Sequence, residues 1–230
     1  MRYLALASDY DGTLATNGCV HPETVAAIKR LRNSKRKLIL VTGRELDELL
    51  RVFPEIHLCD LVVAENGALL YNPATRKEKL LCSKPPEKFV QALRDRGVAP
   101  LSIGRAIVAT WHPNETTVTQ VIRELGLHLQ VILNKNAVMI LPDGVDKASG
   151  LLLGLNELGI SPHQIVAVGD AENDCALLSL SGCGVAVANA LPMLKERADF
   201  VTKGDRGAGV VELIDRLIAS DLSELSPGVN

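Results

Sequence analysis

Aromatic residues are scarce in this chain of 230 residues: Phe, Trp and Tyr together make up 3%, although 47% of the residues are hydrophobic. Leu, Val, Ile and Ala must therefore fill the core, and the length suits one large domain or a core with a smaller inserted domain. Basic charge is not in excess, because 25 Lys and Arg residues face 27 Asp and Glu residues. This balance argues against a phosphate-neutralising surface, so we expect no nucleic acid as a partner.

Cysteines are few and widely spaced, since the 5 in the chain include no C-x-x-C pair. An odd number without zinc-binding spacing or a disulfide framework is typical of a reducing compartment, which predicts a cytoplasmic protein. Long hydrophobic runs are also lacking: none reaches the roughly 20 residues of a membrane-spanning helix, and the apolar residues at 3–7 are too few for a signal peptide. We therefore expect no membrane as a partner.

Two carboxylates follow the first hydrophobic segment of the chain. Apolar residues run into Asp9-Tyr10-Asp11, and Gly12 ends the strand pattern. A short apolar run before a turn is typical of a buried parallel strand, and such strands bind ligands at their carboxyl ends. Burying two acids so close together is costly unless a cation shares them, which indicates a metal site or a reaction. Solvated acids in an Asp-Gly turn are the alternative.

Strand and helix patterns alternate in the first and last parts of the chain. This alternation predicts an α/β fold with a doubly wound, Rossmann-like parallel sheet. The last residues, 221–230, are expected to form a frayed polar tail. The predicted strands after the first are 37–41, 61–64, 165–168, 184–188 and 200–202, and the predicted helices are 22–33, 45–52, 147–158, 172–180 and 209–220.

The middle of the chain has a different pattern, with adjacent strands that suit antiparallel pairing. Asn134-Lys135-Asn136 is typical of a hairpin loop between two of them. We therefore expect residues 72–143 to form a smaller inserted α+β cap domain, and 1–71 with 144–230 to form the core. The predicted elements of the cap are strand 80–82, helix 85–96, strand 106–110, helix 115–125 and strands 129–133 and 137–141.

Polar groups follow the predicted core elements at positions that converge in a doubly wound sheet. Carboxylates with open positions suit Mg²⁺, which prefers oxygen ligands. An ammonium, a hydroxyl and glycine amides suit a phosphate dianion. A metal and a phosphate together indicate phosphoryl transfer. The groups are Asp9 and Asp11, Thr42 and Gly43, Lys147, and Asp170 with Asp174.

Each of these groups also has a structural alternative. Thr42 could serve only as a turn residue, and the acids at 170–174 could be ordinary first-turn residues that the helix macrodipole favours. Lys147 differs, because a cation in the first turn of a helix opposes the dipole, and an anionic ligand there would explain it. A solvated surface lysine is the alternative.

Four segments resemble, in order, the signature motifs of the haloacid dehalogenase (HAD) superfamily: D-Y-D-G-T at 9–13, V-T-G-R at 41–44, G-V-D-K at 144–147 and G-D-A-E-N-D at 169–174. The likeness extends through 65–68, 187–190 and 198–202. It is similar to the Cof-type branch, in which a cap is inserted between the second and third motifs. This branch includes sucrose-phosphatase-like, mannosylphosphoglycerate-phosphatase-like and archaeal phosphoglycolate-phosphatase-like members, and the short cap is most similar to the last group.

The resemblance implies roles for the residues of these motifs. Asp9 would attack phosphorus and form an aspartyl-phosphate, and Asp11 would protonate the leaving oxygen and then deprotonate the attacking water. Mg²⁺ would be held by Asp9, the backbone carbonyl of Asp11, and Asp170, with Asp174 close or acting through water. Thr42, Gly43 and Lys147 would hold the phosphate, Asn173 could reach it, and Arg44, Asn66 and the cap residues Arg105, His112 and Lys135 would be substrate neighbours.

The expected function is a Mg²⁺-dependent phosphatase acting on a small phosphorylated metabolite, such as phosphoglycolate or a sugar phosphate. Asp11 favours phosphate esters over organohalides, because a halide leaving group needs no proton. Two alternatives stay open, a phosphomutase of the same superfamily and a receiver-like phospho-signalling protein. The protein is expected to be a monomer or a homodimer.

Overall fold

Two β-sheets organise residues 1–224, the part of the chain that the computed structural model describes. The strands are β1 (Ala5–Ser8), β2 (Lys37–Val41), β3 (Leu61–Ala64), β4 (Leu69–Asn72), β5 (Lys77–Leu80), β6 (Ser102–Ile103), β7 (Val108–Trp111), β8 (Leu129–Asn134), β9 (Ala137–Pro142), β10 (Ile165–Gly169), β11 (Cys183–Ala186) and β12 (Phe200–Val201). The α-helices are α1 (Pro22–Asn33), α2 (Leu46–Val52), α3 (Glu87–Asp95), α4 (Glu115–Glu124), α5 (Lys147–Leu158), α6 (Cys175–Leu180), α7 (Pro192–Lys195) and α8 (Arg206–Ser220).

The larger sheet has eight strands in the order β12-β11-β10-β1-β2-β3-β4-β5. Strand β1 lies at its centre, with Ala5 in parallel register with Ile165 on one side and with Lys37 on the other. All of β1 is buried, as expected for a parallel strand covered on both faces. The strand order runs outward from β1 in both directions, so the carboxyl end of β1 is the topological switch point where such sheets bind ligands. The α/β prediction with a doubly wound sheet is confirmed.

An antiparallel hairpin extends this sheet beyond β3. Strand β4 pairs with β3, and β5 pairs with β4. We predicted a strand at 80–82 within the cap, and that position is wrong, since the strand spans Lys77–Leu80 and belongs to the larger sheet. All four residues of β5 are exposed at the sheet edge, and three of them are charged. The strand therefore lacks the alternation of hydrophobic and polar residues that would have predicted it. The division into 1–71 with 144–230 and 72–143 stays a prediction.

The smaller sheet is antiparallel, in the order β6-β7-β9-β8. Its side chains alternate between two faces. Val138 and Ile140 of β9 pack with α3 and α4 in a separate hydrophobic cluster, whereas Met139 and Leu141 pack toward the larger sheet beside Ala68. The predicted hairpin is confirmed, and its turn consists of Lys135 and Asn136, because Asn134 pairs with Ala137. One face of this sheet is therefore available to cover the switch point.

Two predicted helix starts differ from the structure. Residues Glu172–Asp174 form a 3-10 turn, and α6 begins only at Cys175. Helix α8 begins at Arg206 instead of 209. The glycines in its first turn are there for close packing: a Cβ on Gly209 would lie 2.4 Å from the Thr202 hydroxyl oxygen. Glycines that serve packing inside a helix look like turn residues in the sequence.

The expected frayed tail is wrong for its first residues. Leu222 is fully buried, and the Asp221 carboxylate accepts hydrogen bonds from the backbone amides of Arg2 and Tyr3 and from the Arg36 guanidinium. Residues 225–230 of that prediction lie outside the described residues. Within 1–224, no helix combines the length and the apolar character needed to cross a membrane.

Candidate active site

Asp9 is the first residue after β1 and lies at the switch point. Its side chain is buried and accepts a hydrogen bond of 2.6 Å from the Nζ atom of Lys147. The Ser8 hydroxyl donates to the Asp9 backbone carbonyl over 2.8 Å, which fixes the strand end. A buried carboxylate is thus held in a defined orientation by a buried ammonium.

Lys147 is the first residue of α5, and its side chain is 1% exposed. The helix starts there because Asp146 caps it, accepting from the Ser149 amide over 2.7 Å. The Lys147 ammonium also donates to Asp174 over 2.7 Å. Although desolvation lowers the pKa of Lys147, the charges and hydrogen bonds of Asp174 and Asp9 raise it above its ordinary value. The surface-lysine alternative for Lys147 is therefore excluded.

Asp170 and Asp174 complete an acidic cluster with Asp9. One carboxylate oxygen from each of the three residues lies within 4.8 Å of the other two. The second oxygen of Asp174 accepts hydrogen bonds from the backbone amides of Asp170 and Ala171, at 3.0 and 3.1 Å. Asp170 accepts from the Thr13 hydroxyl through Oδ1, over 3.1 Å.

The charge of this cluster fits a divalent cation. Burial raises the pKa of Asp9 to about 8, because desolvation together with the charges of Asp174 and Asp170 outweighs the lowering effect of Lys147. The site thus brings three carboxylates together around one buried ammonium, that of Lys147. A donor set made only of oxygen atoms is the one that hard divalent ions prefer. The carboxylates present therefore fit such an ion.

Asp11 points toward the mouth of the site, where its side chain is 40% exposed. Arg44 binds both of its oxygens, with Nε to Oδ2 at 2.5 Å and Nη2 to Oδ1 at 2.7 Å. The guanidinium also contacts Glu48 and lies 5.6 Å above the ring of Tyr10. This bidentate contact fixes the plane of the Asp11 carboxylate.

Thr42 and Gly43 follow β2 and line the same cleft, which has a volume of about 280 Å³. Thr42 is buried, and its hydroxyl oxygen accepts from the Arg44 amide over 3.1 Å. Gly43 lies under the smaller sheet, where an added Cβ would come within 3.1 Å of the Met139 sulfur. The smaller sheet forms the opposite wall of the cleft through Ala109, Trp111, Ala137 and Met139, together with Ile107, which precedes β7.

Asn66 and Asn173 form a buried pair beside Gly43. The Asn173 amide nitrogen donates to the Asn66 side-chain oxygen over 3.0 Å, and it lies 3.9 Å from the position of a Cβ on Gly43. Among the described residues, Asn66 Nδ2 and Asn173 Oδ1 have no hydrogen-bond partner. The pair therefore retains hydrogen-bonding capacity close to the Gly43 loop.

The three cap residues predicted as substrate neighbours differ in position. Arg105 pairs with Asp47 and Glu78, and exposed His112 pairs with Glu115, so neither is bound to the acidic cluster. Lys135 contacts it directly. Its Nζ atom donates to Asp170 Oδ2 over 2.7 Å.

Two contributors were missed in the sequence, Thr13 and Glu65. Glu65 is fully buried and accepts hydrogen bonds from three backbone amides of the segment before β7, at 2.9, 2.7 and 2.9 Å. These amides belong to Arg105, Ala106 and Ile107. An acidic residue after β3 was visible in the E-N-G-A segment, but no spacing rule indicates that its partners are amides about 40 positions later. Thr13 lies within the D-Y-D-G-T segment at 9–13, and its place in that motif could have indicated a role at the site.

Comparison with known proteins gives concordant results. A family model described as haloacid dehalogenase-like hydrolase matches residues 6–105 and 114–214. Phosphoglycolate phosphatase 2 of Saccharolobus solfataricus is 33% identical over 227 residues, covering 96% of this chain and 95% of that protein. The phosphoglycolate phosphatase of Methanothermobacter thermautotrophicus is 31% identical over 228 residues, covering 93% and 98%.

Solved structures share the fold at lower identity. A haloacid dehalogenase-like hydrolase from Bacteroides thetaiotaomicron superposes with a TM-score of 0.80 at 19% identity, covering 94% of this chain and 99% of that one. A sugar phosphatase of HAD subclass IIB superposes with a TM-score of 0.76 at 18% identity, covering 93% and 98%. The arrangement of both sheets thus recurs in proteins of distant sequence.

Proposed function

The chain belongs to the haloacid dehalogenase-like hydrolase family and is a phosphatase, and from this premise we propose that it hydrolyses a small phosphate monoester through an aspartyl-phosphate on Asp9. The observation that carries the proposal is the buried contact between Asp9 and Lys147 inside the acidic cluster. It supplies a nucleophile and a phosphate-binding cation at one point of the sheet.

We assign Mg²⁺ to the acidic cluster as the cofactor. Asp9, Asp170 and the backbone carbonyl of Asp11 would hold it, with Asp174 alongside. When bound, such an ion neutralises the like charges of a carboxylate and a phosphate dianion and orients them. Burial raises the pKa of Asp9, and the charges of Asp174 and Asp170 raise it further, so a bound cation would stabilise the ionised form of this carboxyl.

In the first step, the Asp9 carboxylate attacks phosphorus and the bond from phosphorus to the ester oxygen breaks. Asp11 gives its proton to that leaving oxygen. In the second step, Asp11 takes a proton from water, which attacks the phosphorus of the aspartyl-phosphate. The bond between Asp9 and phosphorus breaks, which releases inorganic phosphate and restores the carboxylate. Arg44 keeps the Asp11 carboxylate in one orientation between the steps.

The phosphate oxygens are assigned to donors on the other side of Asp9. The Thr42 hydroxyl, the Gly43 amide and the Lys147 ammonium would bind these oxygens, and Asn173, whose amide nitrogen lies beside Gly43, would reach the same group. Thr42, Lys147 and Asn173 are buried, so their hydrogen bonds to an anion are stronger than in water. They would stabilise the charge of the transferring phosphoryl group.

Phosphoglycolate is the substrate that we propose, since two relatives named phosphoglycolate phosphatase align with nearly the whole chain. The small cleft suits a short leaving group. We place the protein in the cytoplasm, which its free cysteines support. Residues 72–143 would act as a cap over the switch point, because the smaller sheet walls the cleft.

The direct test is phosphate release by purified protein with Mg²⁺ from phosphoglycolate, a panel of sugar phosphates and p-nitrophenyl phosphate. We expect turnover of phosphoglycolate, and none in Asp9→Asn. A phosphorylated isomer in place of free phosphate would indicate the phosphomutase alternative. A phosphoaspartate that lasts for minutes without turnover would indicate the receiver-like alternative and overturn the proposal.

A further inference from the structure

The tip of the β8–β9 hairpin reaches across the cleft to the acidic cluster. Lys135 has a left-handed backbone with φ of 55°, which suits the first position of a two-residue hairpin turn. Its backbone amide donates to Glu172 over 3.2 Å, and its ammonium donates to Asp170 over 2.7 Å. The smaller sheet thus delivers one positive charge to the site from outside the larger sheet.

This ammonium uses the Asp170 oxygen that the larger sheet leaves free. Oδ1 of Asp170 accepts from the Thr13 hydroxyl, whereas Oδ2 accepts from the Lys135 ammonium. A cation held by the acidic cluster and the Lys135 ammonium would therefore compete for the same oxygen. The two partners of the ion pair also differ in exposure, since the Lys135 side chain is 49% exposed and that of Asp170 only 2%. Lys135 is the partner that can move away.

Other cations around the cleft are already bound to carboxylates. Among the described residues that line the cleft, Arg44 is the only one with a positive charge. Its guanidinium donates hydrogen bonds to Asp11 and Glu48. The facing wall is mostly apolar. A leaving group with a second negative charge would need a cation that is free to turn toward it.

We propose that Lys135 exchanges between two anionic partners: Asp170 when no divalent cation is bound there, and a carboxylate on the leaving group of the substrate when one is. Lys135 then determines specificity for phosphate monoesters that carry a carboxylate close to the phosphate. Its flexible stem and compact charge suit a change of partner better than a guanidinium would. The inference rests on the proposed function and extends it to the chemistry of the leaving group.

The first test measures divalent-cation affinity without turnover. Mg²⁺ is titrated calorimetrically into the wild type, Lys135→Met and the control Lys79→Met, in which an exposed lysine paired with Glu157 loses the same charge. Removal of the competing ammonium should tighten Mg²⁺ binding by roughly threefold or more in Lys135→Met, since the ion pair is half-buried. The control should match the wild type. Equal affinity in all three proteins overturns the exchange.

The second test compares phosphoglycolate with its neutral amide, which has the same shape. The ratio of kcat/KM for acid over amide should fall by about tenfold in Lys135→Met, mainly through KM for the acid, because a charge-assisted contact is lost. Lys135→Arg should restore part of the ratio, and Lys79→Met should not change it. An unchanged ratio in Lys135→Met overturns the specificity role. Failure of the wild type to hydrolyse either ester instead counts against the proposed function, and the calorimetric comparison alone then decides whether Lys135 competes for Asp170.

Discussion

Charge pairs, most of them buried, govern the site at the scale of single residues. Lys147 is shared by Asp9 and Asp174, while Asp11 is held by Arg44 and Asp170 by Thr13 and Lys135. A buried ion that loses its partner keeps its desolvation cost without compensation. Substitutions within these pairs should therefore affect stability as well as turnover.

Lys147→Met should lower the free energy of unfolding by about 3–5 kcal/mol, because it leaves buried carboxylates without their ammonium. Phosphate release should be lost as well. Urea denaturation with added EDTA measures the first effect, and the exposed Lys29→Met on α1 serves as the control. A loss of unfolding free energy in Lys147→Met no larger than that in Lys29→Met would contradict the structural role of Lys147.

Arg44→Lys should reduce kcat by roughly tenfold to a hundredfold, since an ammonium cannot hold both oxygens of Asp11 in a fixed plane. KM should change less, because Arg44 acts through Asp11. Steady-state kinetics of Arg44→Lys and of Arg51→Lys, an exposed control on the neighbouring helix α2, separate the two parameters. A rise in KM at constant kcat would show that Arg44 binds the substrate instead.

At the scale of elements, the chemistry depends on loops that follow strands and on how the smaller sheet is attached. Glu65 joins the loop after β3 to the segment before β7 with three hydrogen bonds to backbone amides. Met139 and Leu141 alternate with Val138 and Ile140, so β9 packs against both layers. Attachment of the smaller sheet is therefore part of the active-site architecture.

Glu65→Gln should weaken this attachment, because a neutral amide replaces a carboxylate that accepts three hydrogen bonds. We expect a loss of about 1.5–3 kcal/mol, the range for hydrogen bonds to charged groups. Hydrogen–deuterium exchange at residues 105–107 should accelerate about tenfold or more. Glu78→Gln, which removes an exposed pair to Arg105, is the matched control. Unchanged exchange at these amides would contradict the role of Glu65.

At the scale of the whole molecule, much of the site follows from the topology of the parallel sheet, which the alternation of strand and helix patterns in the sequence predicts. The ends of parallel strands converge, so Asp9, Thr42 and Asp170 could be placed near one another from periodicity alone. The reach of Lys135 and the partners of Glu65 could not, because both depend on how the smaller sheet is oriented over the larger one. Strand β5 was misplaced because an exposed edge strand has no hydrophobic pattern.

The two ends of the described chain are joined through Asp221. Burial raises the pKa of this carboxyl, but the hydrogen bonds from Arg36 and from the Arg2 and Tyr3 amides outweigh burial and leave the pKa below its ordinary value. A lowered pKa means that the stabilisation is present above the unfolded-state value and is lost as pH falls through the folded-state value. The contribution of Asp221 should therefore disappear under acidic conditions.

Asp221→Asn should lower the free energy of unfolding by about 1–3 kcal/mol at neutral pH, since it leaves the buried Arg36 guanidinium without its carboxylate. The difference from the wild type should begin to shrink below pH of about 4, where the unfolded carboxyl becomes protonated, and should vanish once the pH is below the lower folded-state pKa. Urea denaturation from neutral to acidic pH measures it. Asp215→Asn, which breaks an exposed pair with Arg30, should show almost no effect. A difference that stays constant with pH would contradict the linkage.

The single Trp of the chain is Trp111, which is 41% exposed, lines the cleft and pairs across the sheet with Ala137 beside the hairpin tip. Its indole emission is thus a native optical reporter of events at the mouth of the site. Rapid-mixing fluorescence could time ligand arrival and hairpin displacement in the unlabelled protein, with no signal from a second indole to subtract.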